Sequence, residues 1–225
     1  MIDPATRRLL ERFAKIELFE KHKAVLIGGT AIAYYLNHRK SYDIDICFPF
    51  AQTLPKMEFL REFEEVISLR FERSVLDEFA DQGGDLDAMV QRYMIDGIKV
   101  DFTVNPLANI YESRILKEDT YHSYGTLKIA SIETLFRIKA LLLLDRNKIR
   151  DLYDVVYMME KCGYGKEDFF KAILQSRITY RPKDIIRLIE AKEEDPFDYE
   201  GIVDAVMKPN DYASLKKLLL SKIAT

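Results

Sequence analysis

The stretch that decides the fold is Ala24–Cys47, AVLIGGTAIAYYLNHRKSYDIDIC. Its first four residues, Ala24-Val25-Leu26-Ile27, are an apolar run stopped by Gly28-Gly29, which reads as a buried strand and a tight turn. A helix over Thr30 to Asn37 follows. Tyr42 to Cys47 then alternates with period two, so Ile44 and Ile46 take one face of a second strand and Asp43 and Asp45 the other. Pro49 ends that strand. Strand, glycine turn, helix and acidic strand together give an α/β opening.

Working outward, Thr6 to Lys21 carries apolar residues at helical spacing, with Thr6 placed to act as N-cap. Leu54 to Leu69 reads as an amphipathic helix with Phe59, Leu60, Phe63, Val66 and Ile67 as its buried stripe, and Phe71 to Leu76 as a strand. Asp81 to Asp85 reads as a loop. Val90–Ile95 and Ile98–Val104 flank Asp96-Gly97, a strong hairpin signal, because a type I′ turn needs positive φ at both central residues. Pro106 closes the hairpin, and strand or loop runs on to Ala130. From Ser131, an N-cap candidate, the texture turns helical, with further helices near Ile149–Lys161, Lys166–Gln175, Pro182–Lys192, Tyr199–Met207 and Asp211–Ile223. Turn signals at Gly163/Gly165, Arg181-Pro182, Asp195-Pro196 and Pro209-Asn210 separate them. The expected organisation is an α+β or α/β part over 1–130 and a helical part over 131–225.

Composition sets the outer limits. With 34 basic against 37 acidic residues the formal net charge is -3, which excludes a highly basic nucleic-acid binder but not a local basic groove. No apolar run approaches the roughly 18–20 residues that span a bilayer, and the N-terminus lacks a signal peptide's basic and apolar regions. Cys47 and Cys162 form no multi-bridge framework, and three histidines make a histidine-rich zinc site a poor fit. The expectation is a reduced, cytoplasmic chain.

The candidate chemistry is carboxylate chemistry. Asp43 and Asp45, two apart on a strand, place like charges about 6.5–7 Å apart on one face, a costly arrangement that solvent or a divalent cation relieves. Asp101 shares a strand face with Lys99, opposite Ile98, Val100 and Phe102. If that strand lies beside the Asp43 strand, three carboxylates meet, enough for two metal ions and displacement at phosphorus. The alternatives are a solvated acidic edge and a Lys99–Asp101 surface ion pair. Gly28-Gly29-Thr30 offers backbone N–H groups and a hydroxyl to a phosphate, or is only a turn and a helix cap. His38-Arg39-Lys40 suits phosphate contact or helix-end charge equally well. Lys216, Lys217 and Lys222 read as a solvated basic face.

Taken together, Ile27-Gly28-Gly29-Thr30-Ala31, Arg39-x-Ser41-x-Asp43-x-Asp45, Lys99-x-Asp101 and the segment Lys139 to Asp154, with its Arg146-Asn147-Lys148-Ile149-Arg150-Asp151-Leu152-Tyr153-Asp154, resemble the AbiEii/AbiGii-type toxins. These are nucleotidyltransferase-fold proteins with a DNA polymerase β-like catalytic core. One departure is Gly29-Thr30 where many relatives have Gly-Ser; the hydroxyl is kept. The resemblance implies a mixed β-sheet with flanking helices followed by a C-terminal helical bundle. It implies Mg²⁺, two ions, on Asp43, Asp45 and Asp101, with Asp101 activating or orienting the attacking hydroxyl. Gly28, Gly29 and Thr30 would hold the triphosphate, and Lys139 would neutralise its charge. Asp151, of the Arg-Asp pair, would be an active-site residue. The implied reaction moves NMP from an NTP to a hydroxyl acceptor, RNA such as tRNA first, in a toxin-like role with an antitoxin as further partner. Transfer to a protein or small molecule, and a non-catalytic nucleotide-binding module, are the alternatives.

Overall fold

The computed structural model describes residues 1–81, 84–105, 114–195 and 201–224. Gln82, Gly83, Pro106, Pro196 and the start of the Tyr199–Met207 segment, all read above, lie outside them. The chain forms two compact units: Ile2–Ala31 with Ser41–Ser131, and Met1, Ile32–Lys40 and Ile132–Thr225.

In the first unit β1 (Val25–Ile27), β2 (Ile44–Cys47), β3 (Val66–Ser68), β4 (Val90–Ile95), β5 (Ile98–Thr103), β6 (His122–Tyr124) and β7 (Leu127–Ile129) make one mixed sheet, ordered β3-β4-β5-β2-β1-β7-β6. This is the α+β architecture expected. β1 runs antiparallel to β2 and parallel to β7, and β2 runs parallel to β5. The short central strands are almost wholly apolar; Val25, Leu26, Ile44 and Ile46 are fully buried. Phe13, Phe19, Phe48, Phe59 and Phe102 interlock in the same core, with neighbouring ring centroids such as Phe19–Phe59 5.2 Å and Phe13–Phe19 5.5 Å apart, edge to face. The β4–β5 hairpin turns at Asp96 (φ 48°) and Gly97 (φ 77°), both positive as the type I′ reading requires.

Several local expectations give way here. The first helix is two: α1 (Pro4–Phe13) and α2 (Glu17–Lys21). Asp3, not Thr6, caps α1, its Oδ2 accepting from the Ala5 N–H at 2.9 Å, while Pro4 takes the first-turn position where its missing N–H costs nothing. The Thr6 hydroxyl instead donates to the Tyr42 carbonyl at 2.9 Å. Leu54–Leu69 is not a helix: it holds a 3₁₀ turn, Glu58–Glu62, and then β3. Phe59 and Phe63 still bury, but Phe63 turns extended, and Val66-Ile67-Ser68 satisfies its backbone against β4 instead of within a helix. The strand expected at Phe71–Leu76 is largely replaced by α4 (Arg73–Asp81); Val75 is exposed, so no apolar strand face exists for a sheet to cover. α5 (Leu86–Met89), capped by Asp85, and α6 (Arg114–Lys117) complete the unit.

The chain passes into the second unit within α3 (Gly28–Leu36). There α7 (Ile132–Asp145), α8 (Ile149–Lys161), α9 (Lys166–Leu174), α10 (Pro182–Ala191) and α11 (Tyr212–Ile223) lie within a residue or two of their sequence-read bounds. Residues 201–207 form turns and bends, not the helix expected. The Val206 N–H donates to the His38 carbonyl and the Met207 N–H to the Tyr153 hydroxyl, both at 2.9 Å, so tertiary partners replace the i−4 carbonyls. Among the described residues no helix is long and apolar enough to cross a membrane.

Candidate active site

The carboxylates meet through strand register. β2 and β5 are parallel neighbours with Asp45 opposite Asp101 and Ile44 opposite Val100. Adjacent strands lie about 4.8 Å apart and opposed residues point to the same face, so these two carboxylates leave the sheet side by side. Asp43 precedes β2 by one residue. The Lys99 Nζ bridges the group, 2.9 Å from Asp101 Oδ2 and 3.9 Å from Asp43 Oδ2. Burial works against the Lys99 charge, but the hydrogen bond to Asp101 and the fields of Asp101, Asp43 and Asp45 outweigh it and hold the ammonium above its ordinary pKa. One cation therefore senses all three carboxylates. Arg92 Nε stands 3.9 Å from Asp101 Oδ2, on the other strand of the hairpin. The second oxygen of Asp101, Oδ1, is buried with no hydrogen-bond partner, an unusual cost for a carboxylate. Among the described residues no three carboxylate, histidine or cysteine side chains already stand at metal-holding spacing.

Gly28 opens α3 against this group, with φ +73°. A Cβ there would fall 2.0 Å from Asp45 Oδ2, so backbone and carboxylate are in direct contact only because the side chain is absent. Gly28→Ala is expected to lower nucleotidyl transfer by about 10²-fold, since a displacement near 1 Å at a reacting centre costs that much. Steady-state kinetics beside a thermal melt checks it: activity falling much further than stability is the expected pattern. Gly29 follows in the first turn of α3, whose leading N–H groups have no partners inside the helix. Thr30 is fully buried. Its hydroxyl donates to the Asp43 carbonyl in a short bond and lies 2.9 Å from the Ser41 hydroxyl, so it fixes the backbone that presents Asp43.

In the second unit Lys139, on α7, is 5% exposed and gives its Nζ to Asp151 Oδ1 at 2.5 Å and Asp154 Oδ2 at 2.8 Å. Arg146 grips Asp151 with Nε–Oδ2 at 2.5 Å and Nη2–Oδ1 at 3.1 Å. Asp154, fully buried, also takes Arg39 through Nε at 2.7 Å and Nη2 at 3.0 Å, and His38 Nε2 at 2.7 Å. Burial opposes the charge on both aspartates. Arg39, Lys139 and His38 nevertheless hold Asp154 well below the usual carboxylate range, and Lys139 and Arg146 lower Asp151. His38 Nδ1 has no partner, so the proton of the neutral ring sits on Nε2, facing Asp154. Burial, aided by Arg39 against the pull of Asp154, lowers the His38 pKa. His38 and Arg39 are thus buried partners of Asp154, while Lys40 pairs at the surface with Asp204 at 3.4 Å. Of these contacts sequence reading missed the Asp154 pairs entirely; the Arg39…Asp154 attraction spans 115 residues and leaves no local pattern.

Comparison with known proteins bears on this geometry. The model of the nucleotidyl transferase AbiEii toxin family, of the type IV toxin–antitoxin system, matches residues 8–221. This chain belongs to the AbiEii family. No curated protein matches the sequence. Among solved structures it is similar to JHP933 of Helicobacter pylori, at 16% identity and a TM-score of 0.50 with 100% of this chain and 95% of that one covered. A second H. pylori structure, described as a nucleotidyltransferase, gives 15% identity and 0.49 over 99% and 97% of the chains. MenT4, a nucleotidyltransferase toxin of Mycobacterium tuberculosis, gives 14% and 0.43 over 97% and 88%. At such identities the likeness to JHP933 speaks for the fold alone. As an AbiEii protein the chain is a nucleotidyltransferase with an NTP substrate, in a toxin–antitoxin role.

Proposed function

We propose that this AbiEii protein transfers NMP from an NTP to a hydroxyl of RNA, tRNA being the first acceptor to try, in a Mg²⁺-dependent reaction centred on Asp43, Asp45 and Asp101. The observation that carries the reading is the strand register that sets Asp45 opposite Asp101, with Lys99 Nζ 2.9 Å from Asp101 Oδ2 and 3.9 Å from Asp43 Oδ2. The donor set fits Mg²⁺: hard oxygens, one carboxylate oxygen of Asp101 buried and unsatisfied, and two carboxylates side by side, where Mg²⁺ needs only one or two together with phosphate oxygens. When bound there, Mg²⁺ would neutralise phosphate charge and steady the leaving group.

The chain's own residues do the rest. Asp43 and Asp45 would hold the Mg²⁺, and the Gly28-Gly29 backbone meets the triphosphate oxygens at the start of α3. Asp101 takes the proton of the acceptor hydroxyl as that oxygen bonds to the α-phosphorus. The bond from the α-phosphorus to the β-bridging oxygen breaks, and pyrophosphate leaves. The catalytic part is 1–130. From the helical part, 131–225, Lys139 and Asp151 are the residues assigned to the nucleotide. With labelled NTPs and an RNA pool, EDTA is expected to abolish labelling and Mg²⁺ to restore it. Intact-mass analysis of RNA, protein and small-molecule acceptors reads where the single added nucleotide goes; a mass shift on protein alone would reject the RNA assignment.

A further inference from the structure

Asp101 divides the work of its two oxygens. Oδ2 takes the Lys99 ammonium at 2.9 Å, while Oδ1 is buried with no hydrogen-bond partner. Lys99 and Asp101 stand two apart on β5 and so leave the same face of the sheet, which Asp45 shares through its place opposite Asp101. The same Nζ lies 3.9 Å from Asp43 Oδ2. Lys99 is thus seated among the acids yet leaves Asp101 Oδ1 unclaimed. A buried anionic oxygen calls for a donor or a cation, and Mg²⁺ would supply the cation. Lys99 need not leave for that, because the metal can take one oxygen while the ammonium keeps the other. Arg92 Nε, 3.9 Å from the same Oδ2 and with its Cζ 4.3 Å from the Phe71 ring centroid, adds a weaker push of the same sign.

Two positive charges on one carboxylate repel each other, and beside a buried acid water screens that repulsion less than it would in bulk. Lys99 therefore opposes a bare divalent cation. Toward a nucleotide-bound one the sign reverses: Mg²⁺ on a triphosphate leaves a net negative charge, which the ammonium attracts. What Lys99 contributes depends on how the metal arrives. We infer that Lys99 makes the site select metal–nucleotide over free metal, weakening a lone divalent cation on Asp43, Asp45 and Asp101 and strengthening the same cation when an NTP carries it. The inference rests on the Mg²⁺ reading above and gives that site its selectivity. An ordinary surface ion pair would contribute little and would produce no such reversal. The Lys99 side chain is 39% exposed, so replacing it opens no hole in the core.

The test has two binding arms on the full chain and no acceptor, so catalysis plays no part. In the first, Mn²⁺ is titrated without nucleotide and the free ion is read by electron paramagnetic resonance. Lys99→Met is expected to bind Mn²⁺ about tenfold more tightly than the parent. In the second, calorimetry at saturating Mg²⁺ follows an NTP whose α–β bridging oxygen is replaced by carbon. Here Lys99→Met is expected to bind about tenfold more weakly. Lys99→Arg, which keeps the charge on a bulkier head, is expected to stay within about threefold of the parent in both arms. A purely structural role moves both arms the same way or neither, and direct contact of Lys99 with a phosphate moves the second alone. Any of those results overturns the inference. So does a gain in Mn²⁺ affinity by Lys99→Arg equal to that by Lys99→Met, since charge would then not be the cause. Failure of the Mg²⁺ reading looks different: Asp43→Ala would match the parent in both arms, whatever Lys99→Met does.

Discussion

Asp101→Asn is expected to lower nucleotidyl transfer by about 10³-fold, the scale lost when a group that removes a proton or stabilises developing charge is taken away. The substitution keeps the shape of the side chain and its place opposite Asp45 on β5, so the sheet register survives. What it removes is the negative charge proposed to take the acceptor's proton, which also anchors Lys99 at 2.9 Å. The effect should fall on kcat more than on NTP binding. Asp43→Ala should differ, losing Mg²⁺-dependent NTP binding by calorimetry together with transfer. Its backbone carbonyl, held by Thr30, is untouched by the change. Transfer by Asp101→Asn within tenfold of the parent would remove Asp101 from the chemistry.

The second large effect is on stability. Asp154→Ala is expected to cost about 3–5 kcal/mol, because it leaves buried cations without their counter-charge. Arg39 is 3% exposed and Lys139 5%, so neither charge reaches water easily once Asp154 is gone. At about 2–4 °C per kcal/mol for a chain of this size, the Tm should fall by roughly 10 °C. The same cluster sets a pH dependence. Asp151 and Asp154 have folded pKa values below their ordinary 3.8, so their contribution is whole above that value and is lost as pH falls through the folded ones. His38 is lowered from 6.5, so the unfolded chain binds its proton first and stability declines as pH drops below about 6.5 toward the folded value. Both act in one direction but in different windows: the urea midpoint should fall below about pH 6.5 through His38, and again below about pH 3.8 through the two aspartates. A flat profile between pH 7 and pH 4 would show that His38 is not held as a neutral imidazole, and a flat one below 3.8 that the aspartates are not held charged.

How much of this was legible in the chain depends on the range of the interactions. The β4–β5 hairpin was legible because Asp96-Gly97 carries its own turn geometry and the flanking residues alternate locally. The helices of the second unit were legible because each repeats an apolar stripe between turn signals. Leu54–Leu69 was not, since an apolar spacing of three and four also fits a 3₁₀ turn followed by an edge strand, and only the presence of β4 alongside selects the latter. The α1 cap was missed for a simpler reason: Asp3-Pro4 and Thr6 both offer a helix start, and Tyr42, far along the chain, claims the Thr6 hydroxyl.

The site divides in the same way. By itself the sequence determined which residue types were available: two aspartates on one strand face, a third beside Lys99, a glycine pair before a helix, and the Lys139–Asp154 pattern that marks the family. Side-chain alternation along a strand is set by the backbone alone, so those faces were fixed without a fold. Only the tertiary structure decided that Asp45 stands opposite Asp101, that Gly28 lies against Asp45, and that Lys139 is clasped by Asp151 and Asp154. Each of these joins residues that are distant along the chain. Their pairing depends on strand register and helix packing, which the whole buried core sets together and which no short stretch of sequence encodes.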